Sequence, residues 1–218
     1  MNSAKLKVKG ILFDLDGTII DTSQAYIEAA TTAFKLVGRA VPEKAKLLEL
    51  PKRIEQRQPV TDIVGEDPQK FLDVFLKTFY AIAPLKTKPM PNIAVILEEL
   101  CRKAKLSVIT MRFMPKKVVQ QELRQYGLDR YFSQIVTGLD ACKPKPSPEA
   151  LHFAGKAMDV QACDCVIVGD SIVDVQAGKA AGAKTVAVLT GLYTREELAQ
   201  ANPDFIIQSI AELPCLIV

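Results

Sequence analysis

Residues 11 to 18 read Ile-Leu-Phe-Asp-Leu-Asp-Gly-Thr, and the two carboxylates in that run are spaced to act together. Ile11, Leu12 and Phe13 form a short apolar strand that ends on Asp14, with Asp16 two residues on and Gly17 free to turn the chain. Residues i and i+2 of an extended chain point the same way, so Asp14 and Asp16 face one spot beyond the strand. Two carboxylates in one place repel unless a proton or a cation compensates. The fitting cation is a hard divalent ion such as Mg²⁺, which takes oxygen ligands. The same residues also read as a polar turn after a buried strand, so the rest of the chain must decide.

Three further sites fall where apolar runs end. Leu106 to Ile109 ends on Thr110, whose hydroxyl can donate to a phosphoryl oxygen or simply occupy a strand end. Lys143-Pro144-Lys145-Pro146-Ser147-Pro148-Glu149 fixes the backbone and holds a lysine just ahead of a helix. Such a lysine could neutralise phosphate charge or support a nucleophile; as a lone feature it is a solvated basic turn. Val166-Ile167-Val168-Gly169-Asp170 is a buried strand ending on an acid, and Asp174 lies one helical turn on, on the same face of the helix that starts there. Acids at a helix start also serve as dipole partners, which explains Asp174 better than Asp170.

The elements that would position these residues alternate. Strand candidates are 8–13, 106–110, 134–137, 165–169 and 185–189, with a weaker one at 204–207. Most are near-continuous Val, Ile and Leu runs, as in parallel strands buried on both faces. Ile93, Ile96, Leu97 and Leu100 follow helical spacing, Ser147 to Met158 opens with a cap residue and a proline, and Val173 to Ala181 is rich in small residues that allow close approach to a sheet. The expected fold is α/β, a Rossmann-like, mainly parallel sheet with helices on both faces. Residues 21–88 break the rhythm and are helical by pattern, with apolar stripes at Ile27, Ala30, Phe34, Val37 and at Phe71, Val74, Phe75, Phe79, Ile82. Pro84, Pro89 and Pro91 make Ala83 to Asn92 read as a connection. The expected division is a core of 1–20 and 89–218 with a helical insertion at 21–88.

Composition narrows the function. The 218 residues are 49% hydrophobic and 24% charged with a net charge of +3, too small to argue for nucleic acid. No apolar run approaches the roughly 18 residues that span a bilayer, and the start lacks the apolar stretch of a secretion signal, so a cytoplasmic protein without membrane association is expected. Cys101, Cys142, Cys163, Cys165 and Cys215 show no disulfide spacing, and the single histidine, His152, leaves Cys163 and Cys165 short of a zinc set and argues against a histidine-dependent hydrolase.

Together, in this order at four strand ends, the sites resemble the motif set of the haloacid dehalogenase-like hydrolase superfamily, over nearly the whole chain. Asp14-x-Asp16-Gly17-Thr18 is similar to its first motif, Thr110 to its second, Lys145 to its third and Gly169-Asp170-x-x-x-Asp174 to its fourth. The run through Asp21-Thr22, together with Gly169-Asp170-Ser171, Ala177-Gly178 and Ala181-Gly182, looks most like the phosphoglycolate phosphatase and β-phosphoglucomutase branch, whose cap is a helical insertion between the first two motifs.

The resemblance implies that Asp14 is the nucleophile, forming an aspartyl-phosphate, and that Asp16 is the acid/base. It implies Mg²⁺ held by Asp14, the backbone carbonyl of Asp16 and Asp170, with Asp174 behind it or linked through water. Thr110 and Lys145 would bind the transferred phosphoryl group. Dehalogenases of the superfamily lack the second acid, so dehalogenation is disfavoured. The implied activity is hydrolysis of a small phosphomonoester, phosphoglycolate-like or a sugar phosphate, by a monomer or homodimer. A phosphomutase remains an alternative, as does a binding protein that kept the fold without the chemistry. Two departures stand out. Either Lys143 or Lys145 can supply the third-motif lysine, and Lys145 fits Lys-Pro-x-Pro-Asp/Glu better. Thr110 is followed by Met111-Arg112, where Arg112 either meets a substrate anion or faces solvent. Lys52, Arg53 and Arg57 form a basic stretch in the insertion that either meets a substrate anion or, the better reading, is a solvated face.

Overall fold

The computed structural model describes residues 5–141 and 143–218; of the cysteines above, Cys142 lies outside them. In chain order the elements are β1 (Gly10–Phe13), β2 (Ile20–Asp21), α1 (Ser23–Leu36), α2 (Lys44–Glu55), α3 (Thr61–Val64), α4 (Pro68–Lys86), β3 (Lys88–Pro89), α5 (Ile93–Leu100), β4 (Lys105–Ile109), α6 (Lys116–Gln125) and β5 (Gln134–Val136). They continue with α7 (Glu149–Ala157), β6 (Cys165–Gly169), α8 (Ile172–Ala180), β7 (Lys184–Val188), α9 (Arg195–Gln200), β8 (Phe205–Ile207) and α10 (Leu213–Leu216). The chain divides into two compact units, one comprising residues through Ile20 with Pro89–Val218, the other Asp21–Lys88.

The first unit is built on a sheet of order β5-β4-β1-β6-β7-β8. Every pairing in it is parallel. All residues of β1 and of β6 are buried, which for a parallel sheet means that both faces are covered. From β1 the chain order runs outward through β4 and β5 on one side and through β6, β7 and β8 on the other. The reversal lies between β1 and β6, and a crevice beyond the carboxyl ends of such a pair is where open α/β sheets bind ligands. The helices come close to the sheet where small residues permit. A Cβ on Gly178 of α8 would overlap the Ile167 side chain and sit 2.6 Å from Thr185 Cγ2. Ile93, Ile96, Leu97 and Leu100 form the buried stripe of α5, as their spacing predicts.

The second unit is helical. Ala25, Ala29, Ala30 and Ala33 give α1 a small-residue face, and Phe71, Phe75 and Phe79 give α4 an aromatic one; both belong to one buried cluster. Phe34 and Phe71 have ring centroids 4.7 Å apart, and Tyr26 stacks on Phe79 at 4.8 Å. One sequence expectation needs correction: α4 does not stop before Pro84 but runs through it to Lys86. A proline this close to a helix end deletes a single N–H. Buried Phe79 and Ala83 hold the turn, and the Thr87 N–H caps the helix end on Ala83 O at 3.0 Å.

Candidate active site

Asp14 is the first residue past β1, and its N–H still bonds Val168 O of β6 at 2.9 Å, so the ladder carries it to the sheet's carboxyl edge. Gly17 then adopts φ +82, a conformation that side chains disfavour, and the turn closes through the Gly17 N–H to Ile20 O at 2.7 Å. Asp170 sits at the matching end of β6. A Cβ on Gly17 or on Gly191 would overlap the Asp170 side chain, so two glycine backbones form the walls of its slot. The Thr18 hydroxyl donates to Asp170 Oδ1 at 3.1 Å, and the Thr190 hydroxyl donates to Gly17 O at 2.6 Å.

Lys145 is 1% exposed. Its ammonium donates to Asp14 Oδ1 and to Asp174 Oδ1, both at 2.5 Å, and lies 3.3 Å from Ile109 O. Asp174 is placed by its helix. Ser171 caps α8, and Asp174 at the third helical position completes the capping box, with its Oδ2 accepting from the Ser171 N–H at 3.2 Å and hydroxyl at 2.6 Å. Burial pushes the Asp14 carboxyl well above the usual carboxylate range; Lys145 opposes this, while Asp174 and Asp16 add to it. Burial alone would lower the Lys145 pKa, but Asp14 and Asp174 outweigh it and hold the ammonium above its ordinary range.

Asp14, Asp170 and Asp174 each offer a carboxylate oxygen, and the three oxygens lie within 4.8 Å of one another. The donors are all hard oxygens, which fits a divalent hard cation. Three carboxylates against the single Lys145 ammonium also leave negative charge in a buried place, a costly arrangement that such a cation relieves. Among the described residues no other grouping of acids, cysteines and histidine is spaced to hold a metal.

The Asp16 side chain makes a different set of contacts. It faces Arg112, whose Nε and Nη2 reach Asp16 Oδ2 and Oδ1 at 2.9 and 2.6 Å. Arg112 Nη1 meets Glu122 Oε2 of α6 at 2.5 Å. Arg112 is therefore a buried ion-pair partner and does not face solvent. Thr110, buried beside it, accepts the Arg112 N–H on its hydroxyl oxygen at 3.2 Å.

The two candidate lysines separate clearly. Lys145 joins the acidic cluster, while Lys143 is exposed and uses its backbone N–H on Glu149 Oε2 at 3.1 Å. Arg53 is tied within the helical unit to Glu49, Asp62 and Pro59 O, and Arg57 is exposed. His152 lies on the exposed face of α7; Cys163 is exposed and Cys165 buried. Sequence reasoning missed Glu122, Gly191 and the part played by Thr18. Glu122 leaves a trace, since it sits among Val119 and Leu123 on the buried stripe of α6, where a lone acid calls for a partner. Gly191 leaves none, because its role is a contact with a residue far away in the chain.

The sequence profile of the haloacid dehalogenase-like hydrolases matches residues 11–188. A phosphoglycolate phosphatase of Vibrio parahaemolyticus is 27% identical over 94% of this chain and 94% of its own length. Pyrophosphatase PpaX of Halalkalibacterium halodurans is 26% identical over 95% of this chain and 96% of its own. Among solved structures, a haloacid dehalogenase-like family hydrolase of Streptococcus pneumoniae superposes with a TM-score of 0.82 at 21% identity, covering 99% of both chains, which establishes a shared fold.

Proposed function

Because the chain belongs to the haloacid dehalogenase-like hydrolase family, we propose that it is a Mg²⁺-dependent phosphatase that hydrolyses a small phosphomonoester through an aspartyl-phosphate on Asp14. The observation that carries this reading is the Lys145 ammonium seated between Asp14 and Asp174 in a buried cluster that also holds Asp170. The names of the phosphoglycolate phosphatase and pyrophosphatase relatives support phosphoryl chemistry over carbon–halogen chemistry, and the presence of Asp16 agrees with that.

In the first half-reaction an Asp14 oxygen attacks phosphorus. The bond from phosphorus to the ester oxygen breaks, and that oxygen leaves with the electron pair and takes a proton from Asp16. In the second, water gives a proton to Asp16 and attacks phosphorus, and the bond to Asp14 breaks to restore the carboxylate. Thr110 donates to a phosphoryl oxygen, and Lys145 offsets the charge gathered on the oxygens around phosphorus. Asp14, the Asp16 carbonyl and Asp170 would hold Mg²⁺, with Asp174 behind them; the ion would supply further charge compensation and orientation. The helical unit 21–88 would act as a cap that selects the substrate, because the core groups recognise little beyond phosphate.

A panel of phosphomonoesters with Mg²⁺, ranked by kcat/KM and repeated with chelator, tests this. Turnover of a small ester that chelator abolishes is expected. No phosphate release across the panel sinks the reading, and transfer back to substrate with no sustained release would mark a mutase.

A further inference from the structure

The Arg112 contacts point past the general reading of the site, while resting on it. We infer that Arg112 is a positioning residue for Asp16, held in turn by Glu122, so that an Asp16–Arg112–Glu122 relay fixes the acid/base carboxylate for both half-reactions.

The relay joins three separate elements: the turn after β1, the segment after β4, and α6. Its exposure is graded. The Glu122 and Arg112 side chains are 2% and 3% exposed, whereas Asp16 is 14% exposed, so the open end is the acid. The Arg112 contacts to Asp16 are two-pronged, at 2.9 and 2.6 Å, and set the plane of the carboxylate as well as its place. A carboxylate has about four lone-pair sites, so the fork leaves one on each oxygen for a proton in transit. Glu122 occupies the remaining guanidinium nitrogen. Each nitrogen thus holds a carboxylate and the side chain is 3% exposed, which argues against Arg112 as a receptor for a substrate anion. Stability alone is a poor reason for the arrangement, because a buried ion pair is often no better than apolar packing of the same volume. A proton-transfer group, by contrast, loses rate steeply when misplaced. Arg112 itself neither gives nor takes a proton; Asp16 gives one to the leaving oxygen and recovers one from water.

The test compares wild type and Arg112→Lys on 4-nitrophenyl phosphate and on 2-phosphoglycolate with Mg²⁺. Lysine keeps the charge and loses the fork. kcat/KM covers the steps through leaving-group departure. The nitrophenolate leaves without help, whereas the alkoxide needs the acid. Arg112→Lys should therefore lower kcat/KM for 2-phosphoglycolate by about 10²-fold and for the aryl ester by less than about threefold. Glu122→Gln, which keeps the Arg112–Asp16 fork, should show the same inequality with a loss of about tenfold, and it carries the test should Arg112→Lys fail to fold. Equal losses on both esters, or none on either, would overturn the inference and leave the phosphatase reading standing. Where 2-phosphoglycolate is not turned over, the best alkyl ester of the phosphomonoester panel takes its place with the same expected losses, and wild type that hydrolyses no ester of that panel overturns both.

Discussion

The Lys145 ammonium lies 2.5 Å from Asp174 Oδ1, while the other oxygen of the same carboxylate closes the capping box of α8. One acid thus ties the loop before α7 to the start of α8, and it places the lysine against Asp14. Replacing Asp174 by Ala leaves a buried ammonium short of a partner and removes the Asp174 half of the α8 capping box. The expected cost is about 3–5 kcal/mol. Asp174→Asn retains an oxygen acceptor and should cost about 1–2 kcal/mol. Urea unfolding of both variants in chelator measures the difference. Equal losses would mean that the carboxylate charge, and not an oxygen acceptor as such, secures Lys145.

Asp170 fits between the backbones of Gly17 and Gly191, and a Cβ on Gly191 would overlap its carboxylate. Gly191 lies in the loop after β7. Gly191→Ala should therefore displace Asp170 and raise the Mg²⁺ concentration for half-maximal activity by about 10–100-fold. Gly178→Ala serves as contrast. Its Cβ would press on Ile167 and Thr185 between α8 and the sheet, costing about 1–3 kcal/mol of stability and leaving Mg²⁺ half-saturation alone. An Mg²⁺ titration of Gly191→Ala that overlays wild type would remove Asp170 from the metal assignment.

These contacts show where the sequence was readable. β6 was placed at its observed ends because Val166, Ile167 and Val168 are buried on both faces, and no helix explains an apolar run so short with Gly-Asp after it. Asp14 and Asp170 could be read for the same reason, since each terminates such a run. Lys145 was harder. Lys-Pro-Lys-Pro looks like a solvated turn, and only the fold reveals that one lysine is buried and the other exposed. Arg112 does not face solvent, because its partners come from the turn after β1 and from α6, elements that only the fold brings to it. Pro84 misled through a sound rule applied near a helix end, where aromatic packing outweighs one missing N–H.

Cys165 provides a check on the core. It is buried, and burial, helped by the charges of Asp164 and Cys163, pushes its thiol up to about 11. At pH 8 its thiolate fraction is then about 10⁻³, and the sulfur is screened from reagent as well. Cys101, Cys163 and Cys215 are exposed. Iodoacetamide at pH 8 should modify these three in the folded protein and reach Cys165 only after denaturation, as read by peptide mass mapping. Rapid labelling of Cys165 under native conditions would contradict the packing of β6 against Gly10, where a Cβ would sit 2.7 Å from the Cys165 sulfur.

Asp204 ties the approach to β8 to the start of β7. Its Oδ2 accepts the Thr185 N–H at 2.9 Å and hydroxyl at 2.8 Å, and Lys184 Nζ lies 3.3 Å from Oδ1. Burial alone would raise the carboxyl, but the Thr185 bonds and Lys184 outweigh it and hold the pKa below the ordinary 3.8. A depressed carboxylate stabilises the fold wherever it is ionised in the native state. That contribution is complete above 3.8 and fades as the pH falls through the lower native value. Asp204→Asn should thus be less stable than wild type by about 1 kcal/mol at pH 7, a modest figure because the side chain is partly exposed. The gap should hold down to about pH 5 and close as the solution is acidified below the ordinary Asp value. Urea midpoints of the two proteins across that range decide it, and a gap that does not change with pH would mean that the Asp204 charge contributes nothing beyond its hydrogen bonds.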